Sequence, residues 1–374
     1  MKRLKLFLLL TVVFYLLTCS ANQVDIQPEF TQSAYQVEIQ PEFRNVILFI
    51  GDGMGFYHQF AAYITNKNDY ILERCHAVGI VKTAAANDFT TESAAAGTAI
   101  ACGEKTDNGM LGVRPDTTRL KSMLEYAADD GRSTGIVVTC ELTHATPAAF
   151  VAHVGKRSEN EIIALDLARS KINVAIGGGR KYFENRTDGM NLTDSMKLKG
   201  FRVAYTLNEM KAVQEGNLLG LFADISPSRY PARGELLVEG VKTAINILNK
   251  NPKGFFLMVE GSQIDWVAHD NNQERVLSEM LDFNRAVKIA FDFAESDRKT
   301  LVLVTADHET GGMLITDGNL ENGSLTMNFA VTGHTGVPVP LYAFGVGAEK
   351  FTGIYENTEI LPKVLELYRI NRYR

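Results

Sequence analysis

"NVILFIGDGMG", residues 45–55, decides how this chain is read. An unbroken apolar run, Val46 to Ile50, gives way at once to Gly51-Asp52-Gly53. A strand open to water on one face alternates, whereas one covered on both faces reads as a continuous apolar run. The same pattern returns in "TGIVVT" (134–139), "INVAIG" (172–177), "GFFLMV" (254–259), "TLVLVT" (300–305) and "PLYAFG" (340–345). Helical patterns lie between them, such as "LKSMLEYAADDG" (120–131), "ELLVEGVKTAINILNK" (235–250) and "ERVLSEMLDFNRAVKIAFDFAESD" (274–297). Buried strands alternating with amphipathic helices predict an α/β fold. It is a three-layer sandwich whose central, mostly parallel sheet carries helices on both faces. No linker interrupts the alternation, so residues 44–374 read as one catalytic domain.

In such sheets ligands bind beyond the carboxyl ends of the strands. After residue 50 comes Gly51-Asp52-Gly53-Met54-Gly55, and after residue 139 comes "CELTHATPAAFVAHVGKR". After residue 259 comes "EGSQIDWVAHDNN", and after Thr305 comes "ADHETGG". Four strands therefore deliver acids, histidines and hydroxyls to one edge. Carboxylates with imidazoles suit zinc, and carboxylates with hydroxyls and water suit magnesium. Asp265 and His269 are spaced i, i+4, Asp307 and His308 are adjacent, and His334 stands in a "GHTG" turn. Any one of these alone reads as a hydrogen-bonded turn residue; so many on one edge read as a metal cluster.

"TTESAAAGTAIACG" (90–103) then gains a purpose. Ser93 at the head of a small-residue helix would have backbone N–H groups and the positive end of the dipole aimed at whatever it attacks. A serine hydroxyl becomes a nucleophile near neutral pH when a metal lowers its pKa. Small side chains from Ala94 to Ala99 would let that helix sit close under the metals. The plainer alternative makes Ser93 the N-cap of a packed helix.

The 374 residues are 45% hydrophobic and 22% charged, with 31 glycines, and the net charge is −6. That composition is globular and gives no basis for nucleic-acid-specific binding. The chain opens "MKRLKLFLLLTVVFYLLTCSANQ", a basic start and an apolar run short for a membrane span. Residues 1–19 read as a signal peptide. Its Leu16-Leu17-Thr18-Cys19 end resembles a relaxed lipobox, which predicts an exported, periplasmic or cell-surface protein lipid-anchored at Cys19. The alternative is an ordinary signal peptide that contains a cysteine. Residues 20–43 hold "QVDIQPEF" and "QVEIQPEF", a duplicated spacer. The other cysteines, Cys75, Cys102 and Cys140, form no disulfide framework. Cys102 reads as a small packing residue, and a Cys75–Cys140 bridge is compatible with export but unsupported by spacing.

In order and specificity, "NVILFIGDGMG", "ESAAAGTAIACG", "THATPAAFVAHVGKR", "VEGSQIDWVAHDNN", "VTADHETGG" and "GHTG" together resemble the alkaline phosphatases, especially compact bacterial members. The resemblance covers nearly the whole domain. It implies a phosphomonoester hydrolase of broad specificity, acting by double displacement through a phosphoserine at Ser93, with two Zn2+ and one Mg2+ per chain. Asp265, His269 and His334 would hold the first zinc, and Asp52, Asp307 and His308 the second. Asp52, Thr146 and Glu260 would hold the third ion, usually magnesium. Arg157 would clamp the phosphate, as a planar guanidinium can.

Three positions stand out against the family pattern. Glu92 replaces the aspartate that helps hold the arginine in many relatives, so the extra methylene is expected to loosen or re-aim Arg157. His144 would tune the third ion through water or serve as a hydrogen bonder. Trp266 would wall the pocket or simply pack. Residues 313–332 are too short for the loop domain that builds the dimer in many relatives, which leaves a homodimer open. A phosphodiesterase or sulfatase of the same superfamily is the enzymatic rival, and Thr146 and Glu260 argue against it. A metal-binding lipoprotein without catalysis is the rival from another class, and the completeness of the site argues against that.

Overall fold

A computed structural model describes residues 43–67 and 70–372, so the signal peptide with Cys19 and the duplicated spacer up to residue 42 lie outside the described residues. Fourteen strands run in chain order. They are β1 (Asn45–Gly51), β2 (Ala77–Lys82), β3 (Ser133–Glu141), β4 (Val174–Gly178), β5 (Phe201–Ala204), β6 (Asn217–Leu221), β7 (Phe255–Gly261), β8 (Thr300–Thr305), β9 (Glu309–Thr310), β10 (Met313–Asn319), β11 (Ser324–Phe329), β12 (His334–Thr335), β13 (Val339–Gly345) and β14 (Gly353–Glu356). Ten of them form one sheet in the order β14-β2-β13-β8-β1-β7-β3-β4-β6-β5. Only β13 runs antiparallel to its neighbours β2 and β8. The apolar run at 340–345 is thus a strand of reversed direction, which apolarity alone does not reveal.

The four strands with reactive sequences at their ends, β8, β1, β7 and β3, are consecutive and mutually parallel. Their carboxyl ends therefore share one edge. Every residue of β1 and β7 is buried, as continuous apolar runs require. Adjacent Phe255 and Phe256 show the two covered faces. The Phe255 ring packs 6.1 Å from Phe293, and that of Phe256 stacks 6.0 Å from Phe150 on the opposite side.

Seven helices matter to the site: α1 (Phe56–Thr65), α2 (Ser93–Cys102), α3 (Met123–Asp129), α4 (Ala145–Ala148), α5 (Leu236–Leu248), α6 (Gln263–His269) and α7 (Gln273–Asp297). Helix α7 starts where the Asn272 side chain accepts the Arg275 N–H, and stops at Arg298 in a left-handed conformation. It buries Val276, Met280, Phe283, Val287 and Phe291 along one stripe. Helix α3 begins with a capping box in which Ser122 and Glu125 satisfy each other's backbone N–H. The stretch at 313–332 folds mainly as the β10–β11 hairpin. Among the described residues, no helix is long and apolar enough to cross a membrane.

Candidate active site

The turn after β1 brings the cluster together. Gly53 has φ +68°, and a Cβ there would lie 2.6 Å from the Thr310 hydroxyl and 2.9 Å from Asp265 Oδ1. Only glycine fits both the backbone and the space. Asp52 and Asp307 are wholly buried, and the Gly53 and His308 N–H groups fix Asp307 Oδ1 at 3.1 and 3.0 Å. Asp265 sits in the first turn of α6 and His269 one turn later, as the i, i+4 spacing predicts. His334 reaches the cluster because β12 pairs it with Thr310 of β9.

Hydrogen bonds set the tautomers. Nδ1 of His269 faces the Thr332 carbonyl, and Nδ1 of His334 faces the Thr91 carbonyl at 2.9 Å. A carbonyl only accepts, so each Nδ1 carries the proton and each Nε2 presents a lone pair. The Thr310 hydroxyl donates to Asp265 and so accepts from Nδ1 of His308 at 3.2 Å. His308 Nε2 is then also a lone-pair donor.

These atoms have the spacing of ligands. His269 Nε2 and His334 Nε2 are 3.2 Å apart, and Asp265 Oδ1 lies 3.3 and 3.5 Å from them. Zinc bonds of about 2.0–2.1 Å at a tetrahedral angle put neighbouring donors roughly 3.3 Å apart. Three lone-pair atoms so close repel one another unless a cation lies between them. A second set has the same shape. His308 Nε2 lies 3.3 Å from Asp307 Oδ2, 3.5 Å from Asp52 Oδ1 and 3.4 Å from Ser93 Oγ, and Ser93 Oγ is 3.4 Å from Asp52 Oδ1.

Electrostatics agree. Burial pushes the Asp52 carboxyl well above the usual range, and Asp307, Asp265 and Glu260 push it further. Burial likewise raises Glu260 to about 8. Asp265 raises His269 to about 9, a measure of the negative field there. Burial lowers His308. Asp52 Oδ2, Asp307 Oδ2, Glu260 Oε1 and Thr146 Oγ1 are enclosed without a hydrogen-bond partner. Buried orphans of this kind, all metal-ligand atoms, are what divalent cations satisfy. The donor sets therefore fit divalent cations.

Ser93 is the first residue of α2, but it is not the cap. Glu92 is the N-cap, and its carboxylate accepts the Ala94 and Ala95 N–H groups at 3.0 Å each. The expectation that these N–H groups face a substrate is thus corrected: a carboxylate of the chain itself occupies them. The Gly109 N–H also donates to Glu92 at 2.7 Å, and Arg157 pairs with it through Nη1. Burial opposes ionisation of Glu92, yet Arg157 and these three N–H groups hold it below the usual glutamate range. The longer acid therefore reaches Arg157 while it caps the helix. Nη2 of Arg157 meets His144 Nε2 at 3.3 Å, and the His144 ring stands edge-on to Trp266 at 5.8 Å. Burial and then Arg157 lower the His144 pKa.

The small residues of α2 pack against α4, the turn that carries Thr146. A Cβ on Gly97 would lie 3.2 Å from Ala149 Cβ and 3.5 Å from Thr146 Cα. Cys102 is buried as expected, and Cys75 and Cys140 are both free, so the bridge between them does not form. The sequence reading missed two contacts. Thr310 orients both Asp265 and His308, and its place two residues after His308 was the available signal. Cys140 lies against Glu260, with Sγ 3.5 Å from Oε2.

The family model for alkaline phosphatase matches residues 43–325. The chain belongs to the alkaline phosphatase family. Alkaline phosphatase 4 of Bacillus subtilis is 36% identical, over 86% of this chain and 89% of its own length. Among solved structures, alkaline phosphatase from the Antarctic bacterium TAB5 superposes with a TM-score of 0.84 at 36% identity, covering 88% of this chain and 100% of that one. A mutant of that enzyme with Mg bound in the M3 site superposes at 0.82, again 36% identical, over 89% of this chain and 100% of that one. Membership in this family makes the chain a metal-dependent phosphoric monoester hydrolase.

Proposed function

We propose that Ser93 is the nucleophile of this phosphatase, that Arg157 binds the phosphate, and that three ion sites surround them. The observation that carries the reading is Ser93 Oγ, which lies within 3.4 Å of both Asp52 Oδ1 and His308 Nε2. Asp265, His269 and His334 hold one zinc, and Asp52, Asp307 and His308 the other. Asp52, Thr146 and Glu260 offer oxygens for a third divalent cation. Bound zinc supplies Lewis acidity, which favours the ionised serine and stabilises the oxygens that enter and leave phosphorus.

The chain's own groups do the rest. Glu92 and His144 hold the guanidinium of Arg157 from two sides, leaving it other N–H groups for phosphate oxygens. Ser93 Oγ attacks phosphorus as its proton passes to solvent, the bond from phosphorus to the alcohol oxygen breaks, that oxygen takes a proton from solvent, and a phosphoserine forms. Water then attacks phosphorus, Ser93 Oγ departs, and inorganic phosphate is released. The sequence offers no dedicated pocket for the alcohol, which supports a broad range of monoesters. The N-terminal sequence supports export to the periplasm or cell surface with a lipid anchor at Cys19, and metabolic labelling with a radioactive fatty acid tests that.

The test of the site is hydrolysis of an aryl phosphate monoester against the matching diester at alkaline pH, by the full chain supplied with zinc and magnesium. A strong monoester preference that collapses in Ser93→Ala is expected. A diester preference, or full activity in Ser93→Ala, overturns the assignment.

A further inference from the structure

Around Glu260 the donors are softer than a magnesium site requires. In the parallel pair β3–β7, Val138 is in register with Glu260. Cys140, two residues beyond Val138, falls on the same face of the sheet, beside the Glu260 carboxylate. Cys140 Sγ is fully buried and 3.5 Å from Glu260 Oε2. His144 closes the group: one donor atom each from Cys140, His144 and Glu260 all lie within 4.8 Å of one another. His144 Nδ1, Glu260 Oε1 and Thr146 Oγ1 are enclosed there without hydrogen-bond partners. Glu260 and Thr146 are wholly buried.

The spacing is that of ligands on one ion. A zinc–sulfur bond of about 2.3 Å and a zinc–oxygen bond of about 2.0 Å, at a tetrahedral angle, separate sulfur from oxygen by roughly 3.5 Å. Magnesium demands near-octahedral oxygen and has little affinity for sulfur, whereas thiolate and imidazole select zinc.

We propose that Cys140 is a ligand of the third ion, which makes that site a mixed sulfur and oxygen site occupied by zinc rather than magnesium. The inference rests on the three-site reading above and changes the identity of its third ion. As the sulfur–zinc bond forms, the Cys140 thiol releases its proton to solvent and no electron is transferred. His144 Nε2 accepts from Arg157, so its Nδ1 carries the proton; His144 stands beside the ion and links it to the phosphate clamp without ligating it.

Cobalt supplies the test, because a cysteine–cobalt bond adds a near-ultraviolet charge-transfer band that oxygen and nitrogen ligands do not. The full chain is stripped with chelator and titrated with Co2+. The band is expected to grow with one of the three equivalents, and to vanish in Cys140→Ser and Cys140→Ala while the visible bands of the other two sites persist. Elemental analysis after exposure to zinc with magnesium in large excess should find three zinc ions in the wild type, and two zinc ions with one magnesium in Cys140→Ser. A wild-type protein without the band, or one that retains magnesium, overturns the proposal, and this result needs no variant to fold. The readouts separate the two readings. Monoester hydrolysis without the sulfur band refutes only the cysteine ligand, while the band without hydrolysis refutes the catalytic assignment.

Discussion

Replacing Glu92 with aspartate separates the two tasks this side chain performs. The carboxylate retreats by about 1.5 Å, one carbon–carbon bond. Aspartate is a favoured N-cap, so the Ala94 and Ala95 N–H groups keep their acceptor. Gly109 and Arg157 approach the same two oxygens from other segments of the chain, so the retreat lengthens both contacts. A hydrogen bond to a charged group contributes about 1.5–3 kcal/mol, and water entering the gap recovers part of it. The ion pair adds at most ~1 kcal/mol, because the Arg157 side chain is 34% exposed and solvent screens it. Stability should therefore fall by about 2 kcal/mol.

Phosphate binding responds separately. With the carboxylate drawn back, Arg157 is held chiefly by His144 and must be ordered when phosphate arrives. Immobilising such a side chain costs about 0.5–1.5 kcal/mol, which weakens phosphate roughly two- to tenfold. Competitive inhibition of aryl phosphate hydrolysis by inorganic phosphate, at one alkaline pH, reads this directly. Equal inhibition constants for wild type and Glu92→Asp would refute the view that Glu92 positions Arg157. A large loss of stability with unchanged inhibition would reduce Glu92 to a helix cap.

Chelation should lower the melting temperature by at least roughly 10 °C. Each ion held at a thousandfold excess over its Kd adds about 4 kcal/mol, and circular dichroism before and after EDTA checks it. His58 lies buried in α1, and burial lowers its pKa to about 4. The unfolded chain takes up that proton below about pH 6.5, so stability is full above that pH and falls as pH drops toward 4, by about 2 kcal/mol at pH 5. Because Glu260 and Asp52 shift the opposite way in the metal-free protein, the loss is read as the pH 7 to pH 5 change in urea midpoint of the wild type minus that of His58→Gln. Gly97→Val drives two methyl groups into Ala149 and Thr146. It should cost about 1–3 kcal/mol and deplete only the third ion in elemental analysis, with Gly97→Ala much milder.

How much of this was legible varies with the kind of signal. Strands β1, β3, β7 and β8 could be read because each is buried on both faces and turns reactive at its end. Strands β5, β6 and β14 were not read: they have four or five residues each, too few for a periodicity to show. The candidate ligand positions came from spacing and resemblance, and the structure brings Asp52, Asp265, Asp307, His269, His308 and His334 together around Ser93. Glu92 was misjudged because glutamate is a poor sequence signal for an N-cap and serine a strong one. Cys140 was weighed only for a bridge to Cys75, because nothing in its strand sequence points to a carboxylate beside it. Only the β3–β7 register, a property of two distant segments, sets it against Glu260.

The charge of the site explains why these residues occur together in an acidic protein. Asp52, Asp265, Asp307 and Glu260 carry four negative charges when ionised, and a phosphate dianion adds two. The three divalent cations of the proposed site would match them. Arg157 contributes direction more than net charge, because Glu92 neutralises it. The first N–H groups of α2 do not make up a deficit either, since Glu92 occupies them. Binding therefore depends on the ions, and the arginine sets geometry. A Cys140 thiolate leaves the phosphate-bound site one charge short of neutrality. That imbalance favours release of the product dianion over its retention. On this argument Cys140→Ser, with magnesium in the third site, should bind inorganic phosphate more tightly than the wild type. Equal or weaker inhibition by phosphate in Cys140→Ser would break the link between the sulfur ligand and product release.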